Sequence, residues 1–267
     1  MSAQNIIEPK ACKVLQVKHE TAQEVTFRIA YDEIPNHGQF LQLSLPKIGE
    51  VPISIANFGP GWLEFTVRAV GRVTDRLFAV RPDDTLFARG SYGNGWPMES
   101  LLNKHLVVIC GGTGMAPVRS LLQMALINQE AFKSVSLVAG FRNSDSILYQ
   151  EELTDYVDAG HFNTVLTLDN QEFEGFQQGF VTAHLDKIAF SKMEGDYQVI
   201  VVGPPAMMHH TSQSLLQHNI PEEKIWLSFE RRMSCAVGKC GHCRIDEVYV
   251  CLNGPVFNYT QAKYLLD

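Results

Sequence analysis

The chain has 267 residues, 45% of them hydrophobic and 19% charged, as expected of a globular protein with one large or two ordinary domains. A formal net charge of -7 and a pI near 5.7 exclude a basic nucleic-acid surface, which needs clustered Lys and Arg. Met1 to Lys10 lacks an apolar leader core, and no run approaches the ~18 apolar residues of a membrane span, so the expectation is a cytoplasmic protein whose membrane link, if it has one, runs through a partner.

Residues 10–90 read as a succession of short strands. Val14, Val17, Val25, Phe27 and Ile29 alternate with polar neighbours, and Phe40, Leu41, Leu43 and Leu45 do so less cleanly. Segments 52–56, 62–69 and 85–88 follow, separated by turn signals such as Asn36-His37-Gly38 and Gly59-Pro60-Gly61. Strands at this spacing predict an antiparallel barrel or sandwich. One short helix interrupts it, starting near Thr74 and carrying Leu77, Phe78 and Val80.

After Pro97 the pattern changes. The apolar run 105–110 leads into glycines and a helix through Leu121, Leu122, Met124 and Leu126; further strands are predicted at 135–140, 164–168 and 198–202, with helical periodicity at 149–157 and 207–217. Strands alternating with helices predict βαβ units and a parallel sheet, with 225–229 as its last strand. The expected fold class is thus an antiparallel barrel over residues 1–97, a parallel-sheet α/β domain over 98–230 and a cysteine-rich tail over 231–267.

Four of the six cysteines crowd into that tail as Cys235-x4-Cys240-x2-Cys243-x7-Cys251. In a chain without export signals this favours a metal centre over disulfides. The spacing is the plant-type ferredoxin pattern for a [2Fe–2S] cluster, and Gly238 and Gly241 suit a loop whose N–H groups must face inorganic sulfide. A zinc site is the alternative, but four-cysteine zinc usually takes two separated C-x2-C knuckles; a [4Fe–4S] cluster fits the spacing less well. Cys12 and Cys110 read as ordinary buried thiols, and the adjacent His209 and His210 as solvated surface.

Gly111-Gly112-Thr113-Gly114 follows the first predicted parallel strand and precedes a helix with Pro117 in its first turn. Glycines there let backbone approach a phosphate while the helix N-terminus offers free N–H groups. A bare tight turn is the alternative for one such loop; a second, Gly203-Pro204-Pro205, at the end of the fourth parallel strand on the same sheet edge makes a nucleotide site the better reading. In the barrel region Pro52-Ile53-Ser54-Ile55 precedes Gly71-Arg72-Val73-Thr74 at a helix start, each unremarkable alone.

The order of these motifs resembles the ferredoxin-reductase-like flavoproteins over nearly the whole chain. Ser228 through Cys243, then Cys251-Leu252-Asn253-Gly254-Pro255-Val256-Phe257-Asn258-Tyr259, is most similar to the B subunit of anaerobic sulfite reductase, and also resembles the gamma subunit of sulfhydrogenases and the electron-transfer subunit of dihydroorotate dehydrogenase. The resemblance implies an oxidoreductase subunit that carries electrons from NAD(P)H through FAD and an iron–sulfur cluster to catalytic and iron–sulfur partner subunits. It implies that Pro52, Ile53, Ser54 and Ile55 lie along the flavin, with Ser54 near its reactive N5, and that Gly71, Val73 and Thr74 face the FAD pyrophosphate. Gly111, Gly112, Thr113, Gly114, Gly203 and Pro204 would hold the nicotinamide nucleotide, and Cys235, Cys240, Cys243 and Cys251 the cluster. Many relatives carry Arg immediately before the strand's Pro; this chain has Val51, with Arg68 or Arg72 as substitutes. A flavin-free redox-sensing subunit is the alternative that Val51 leaves open.

Overall fold

The computed structural model describes residues 7–265. The first six residues, part of the stretch read for a leader, and the last two lie outside the described residues. Strands β1 (Lys10–His19), β2 (Glu24–Ala30), β3 (Phe40–Leu45), β4 (Gly49–Gly59), β5 (Trp62–Arg68) and β6 (Thr85–Tyr92) close an antiparallel barrel in the order β1-β2-β5-β4-β3-β6. Alternation in the sequence decides which side chains turn inward: Val14, Val25, Phe27, Ile29, Leu41, Leu43, Phe65 and Leu86 form one core. Closure leaves no open strand edge. Helix α1 (Arg72–Phe78) adds Leu77 to the same core, fully buried. Burying each such large side chain contributes about 1.5–3 kcal/mol.

The second unit alternates strands and helices. Its elements are α2 (Met98–Leu101), β7 (His105–Gly111), α3 (Ala116–Ile127), β8 (Ser134–Phe141), α4 (Gln150–Asp158), β9 (Asn163–Leu168), β10 (Gln177–Gln178), β11 (Tyr197–Val202), α5 (Pro205–Gln217) and β12 (Ile225–Ser228). The sheet runs β10-β9-β8-β7-β11-β12, parallel throughout, so β7 and β11 are neighbours although β7 ends at Gly111 and β11 begins only at Tyr197. Strand order therefore reverses between them. The fully buried runs of β7 and β11 explain why both read as continuous apolar segments.

The C-terminal expectation needs two corrections. The segment 225–229 is not the last strand: after the hairpin β13 (Arg244–Ile245) and β14 (Val248–Tyr249) and the turn α6 (Val250–Asn253), β15 (Val256–Asn258) pairs antiparallel with β12, and α7 (Tyr259–Ala262) follows. Three residues sufficed because Val256 and Phe257 are buried, but so short a run gave no periodicity to read. Nor is the tail a single appendage. Phe229–Pro255 belongs to one compact unit with the barrel, whereas the chain from Val256 onward belongs with the sheet.

Candidate functional site

Along β4, Val51 and Ile53 pack against the barrel core and Ile55 lies within it. Glu50, Pro52 and Ser54 therefore occupy the outer face. Residues directly opposite across strands share a face, which adds Phe40 and Gln42 from β3 and Arg89 and Tyr92 from β6. Pro52 and Ser54 are half-buried there. Gln42 is fully buried, yet neither its Oε1 nor its Nε2 has a partner among the described residues. An unbonded buried amide costs about 1–3 kcal/mol, and a bound group with donor and acceptor edges would satisfy it. Val51 faces the core rather than this surface, so an Arg there is not simply missing from it. Of the two substitutes, Arg68 pairs with Glu24 at 3.2 Å and bonds Gln23 at 3.2 Å, whereas Arg72 donates to the carbonyl of Ile48, beside the start of β4. At the start of α1 the Thr74 hydroxyl accepts from Val70 N–H and donates to Gly71 O, both at 3.0 Å. It holds its own turn, leaving backbone N–H groups as what that turn offers an anion.

Arg89 sits on the same outer face and is 5% exposed. Its Nε and Nη2 donate to the two carboxylate oxygens of Glu50 at 2.7 and 2.6 Å; Nη1 donates to Tyr92 Oη at 3.0 Å and to Cys235 O at 2.9 Å; Nη2 also donates to Ser234 O at 2.7 Å. The Glu50 hydrogen bonds hold the guanidinium protonated above its ordinary range, against the opposing effect of burial. Nothing in the sequence announced this node. Its partners lie 39 and 145 residues away along the chain: the β3–β4–β6 register brings Glu50 to it, and the fold of the cysteine segment brings Ser234 and Cys235.

The cysteine segment alternates left-handed and ordinary backbone, with positive φ at Ala236, Gly238 and Gly241, and such alternation turns successive N–H groups into one concavity. Val237, Lys239 and Cys240 donate N–H to Cys235 Sγ at 3.5, 3.3 and 3.3 Å, Gly238 to Cys251 Sγ at 3.2 Å and Cys251 to Cys243 Sγ at 3.5 Å. The thiols of Cys235 and Cys240 are within hydrogen-bond reach of each other, as are those of Cys243 and Cys251. His209 and His210 are both exposed, as expected of solvated surface. The cysteine donor set contains two thiol pairs lined by N–H groups, which suits a polynuclear, anionic iron–sulfur cluster. The pairs differ: Cys243 and Cys251 are 2% exposed, and Cys240 is exposed. The backbone N–H of His242, then that of Cys235, pushes Cys240 down to about 7, while burial pushes Cys251 up to about 12. Cys12 and Cys110 are buried as expected, and burial pushes them up to about 11 and about 12.

In the second unit, the two glycine loops expected separately are interlocked. β7 runs into a 3-10 turn, Gly112–Met115, and then α3. A Cβ on Gly111 would stand 2.4 Å from Met207 Sδ, one on Gly203 2.7 Å from the same sulfur, and one on Gly114 2.4 Å from Val202 O. Gly112 is the exception: it has φ +53, and open space lies where its Cβ would be. Both loops leave the carboxyl ends of adjacent strands where the sheet order reverses, the position at which open α/β sheets bind ligands.

Residues 108–213 match the oxidoreductase NAD-binding domain, and residues 230–263 match the iron–sulfur cluster binding domain of dihydroorotate dehydrogenase B. The gamma subunit of sulfhydrogenase 1 from Pyrococcus furiosus is 31% identical over 92% of this chain and 89% of its own length. A probable electron-transfer subunit of dihydroorotate dehydrogenase B from Thermoplasma acidophilum is 29% identical over 93% and 88%. Among solved structures, an NADH-dependent reduced ferredoxin–NADP oxidoreductase superposes with a TM-score of 0.76 at 22% identity, over 98% of this chain and 91% of that one. A ferredoxin NADP+ reductase from Neisseria gonorrhoeae with bound FAD and NADP gives 0.70 at 21% identity, over 82% and 97%. The fold is that of the FAD- and NAD-dependent reductases, no helix among the described residues is long and apolar enough to cross a membrane, and the chain belongs to the family of electron-transfer subunits of NAD-linked oxidoreductase complexes that includes sulfhydrogenase gamma and dihydroorotate dehydrogenase B.

Proposed function

We propose that this chain carries electrons from NAD(P)H, through FAD on the outer barrel face, to a [2Fe–2S] cluster on Cys235, Cys240, Cys243 and Cys251, and on to the catalytic subunit of a cytoplasmic anaerobic sulfite reductase. The two thiol pairs carry the reading. Two irons each need two thiolates, and the pairs 235/240 and 243/251 supply them, whereas one zinc needs four ligands around one point. Bound flavin exchanges hydride with a nucleotide and single electrons with a cluster, which joins the two carriers.

The protein's part is binding and orientation. Ser54 offers a hydroxyl donor on the outer-face row opposite Phe40, with Pro52, Ile53 and Ile55 flanking it in its strand and the unsatisfied Gln42 amide opposite Pro52. Val73 and Thr74 would present N–H groups to the FAD pyrophosphate, with Gly71, whose own N–H donates to Asp75 Oδ1 at 3.3 Å, opening the turn, and Arg72 would present a positive charge in place of the usual Arg before Pro52. Gly111, Gly112, Thr113 and Gly114 would take the nucleotide pyrophosphate, with Gly203 and Pro204 as the opposite wall. The terminal partner admits a second reading: the extensive match to sulfhydrogenase gamma, and the iron–sulfur domain match, favour a sulfhydrogenase or dihydroorotate dehydrogenase complex at least as well.

Anaerobic absorbance and EPR titration with NADH and NADPH tests the relay. Flavin bleaching with appearance of a one-electron iron–sulfur signal, at about two irons per chain, is the expected result. Zinc without iron, or a chain without flavin that neither nucleotide reduces, overturns it. Turnover of the natively purified complex with sulfite, protons and polysulfide, or dihydroorotate separates the partners.

A further inference from the structure

A buried guanidinium with all five N–H groups committed is a fixed object, and what it fixes is specific. Two of the five acceptors are Glu50 oxygens, on the residue two before Pro52 in β4. Two are the carbonyls of Ser234 and Cys235, the peptide of the first thiol ligand and the one before it. The fifth is Tyr92 on the same face. Arginine alone has the planar fork to serve a carboxylate and two carbonyls together. Holding the Cys235 carbonyl sets the orientation of the following peptides, and these are the ones whose N–H groups at Val237, Lys239 and Cys240 converge on Cys235 Sγ. The other end of the bracket grips the strand that carries Pro52 and Ser54.

We propose that Arg89, paired with Glu50, is the positioning residue that docks the cysteine loop on the outer face of the barrel and sets the reduction potential of the cluster held there. The proposal rests on the iron–sulfur reading above. Reduction adds one negative charge to the cluster. The ion pair beside Cys235 is neutral as a whole, so removing either member exposes the field of the other. Glu50→Gln keeps an acceptor oxygen and leaves Arg89 positive; it should favour the reduced cluster and raise the potential. Arg89→Met leaves Glu50 negative and should lower it. A unit charge about 10 Å from a redox centre, at an effective dielectric of about 20, changes the equilibrium by about tenfold, which is about 59 mV for one electron. Arg89→Lys keeps the charge but loses the fork, so its effect should appear chiefly in the EPR line shape through disordered N–H donors to Cys235. A role in folding alone would move iron content, not shift the potential in opposite directions for the two halves of one pair.

The experiment is a redox titration of the cluster EPR signal in the flavin-loaded full chain, comparing wild type, Glu50→Gln, Arg89→Met and Arg89→Lys. Arg28→Lys, in the Arg28–Glu64 pair of β2 and β5, serves as a control and should leave the potential in place. Opposite shifts in the first two variants support the proposal. Wild-type potentials and line shapes in all three site variants at full iron content overturn it. If Arg89→Met does not fold, Glu50→Gln alone decides: no upward shift overturns it. Wild type without iron would sink the cluster reading itself, a result that differs from any variant comparison.

Discussion

In the turn that follows β7, a Cβ on Gly114 would stand 2.4 Å from Val202 O, whereas in the cysteine segment a Cβ on Gly241 would meet nothing within 4 Å. Gly114 is required because another strand's backbone occupies the space, so its loop is assembled by the sheet whatever is bound. Gly241 has room but sits at φ +81, a conformation only glycine adopts without cost. Its loop is shaped by dihedrals and by N–H groups turned toward sulfur. The nucleotide loop is therefore a rigid product of sheet packing, and the cysteine loop a local structure completed by what it binds.

Removing one inner thiol gives the largest contrast. Cys251→Ala should abolish the iron–sulfur signal, with iron falling toward zero, and destabilise the segment Phe229–Pro255, because binding energy at such a site is also folding energy. The NAD-binding unit should keep its nucleotide affinity, as measured by calorimetry on the variant. Loss of both together would break the contrast between the loops. Next in size is Gly114→Ala. The clash with Val202 O is backbone on backbone, so β7 or β11 must shift, at about 3 kcal/mol by analogy with overpacked cores. Urea unfolding should report that loss, and nucleotide-driven flavin reduction should slow by about tenfold while the EPR signal on chemical reduction stays unchanged.

How much of this was legible in advance follows the same division. The cysteine spacing was readable because its four ligands lie within 17 residues, 235 to 251, and their chemistry is local. The Gly111–Gly114 turn was readable as a loop, but its interlock with Gly203 and Met207 depends on β7 and β11 being neighbours, which strand periodicity does not encode. Barrel strands were found because Phe27, Leu43 and Phe65 alternate with polar residues, while β15 escaped at three residues. Arg89 and Gln42 were invisible for a different reason. Each is a polar residue in a strand whose outer face reads as solvent-exposed, and neither the burial of both nor the cysteine segment that bonds Arg89 is encoded in strand alternation.

A smaller effect separates the two units by acid. Burial pushes His37 down from 6.5 to about 4, with its ring 4.9 Å from Phe58 and its carbonyl accepting from Trp96 N–H at 2.7 Å. The neighbouring turn carries Asn94, whose N–H donates to Gly254 O at 2.8 Å, so the support reaches the end of the cysteine segment. With the folded value below the unfolded one, the unfolded chain takes up protons that the folded chain refuses. The contribution is whole above pH 6.5 and drains away as pH falls toward about 4, amounting to about 2 kcal/mol for this half-buried group. Denaturation at about pH 7 and about pH 4.5 should show the drop in probes of the barrel unit. His37→Phe should flatten it, and equal loss in both units would show that acid does not discriminate between them.

Gly241 supplies the finest test, because open space removes every steric explanation except its own backbone. Gly241→Ala should cost about 1–2 kcal/mol, the strain of a left-handed L-residue. Gly241→Asn should recover part of that, since Asn tolerates this region better than other side chains. The matched pair on the other loop is Gly114→Ala against Gly114→Asn, where the order should invert: the larger side chain meets Val202 O no more kindly than the smaller. If thermal melts ranked Ala and Asn identically at both positions, dihedral strain and steric exclusion would not be what distinguishes the loops. If the ranks at the two positions are opposite, left-handed backbone is what requires glycine at Gly241 and the carbonyl of Val202 is what requires it at Gly114.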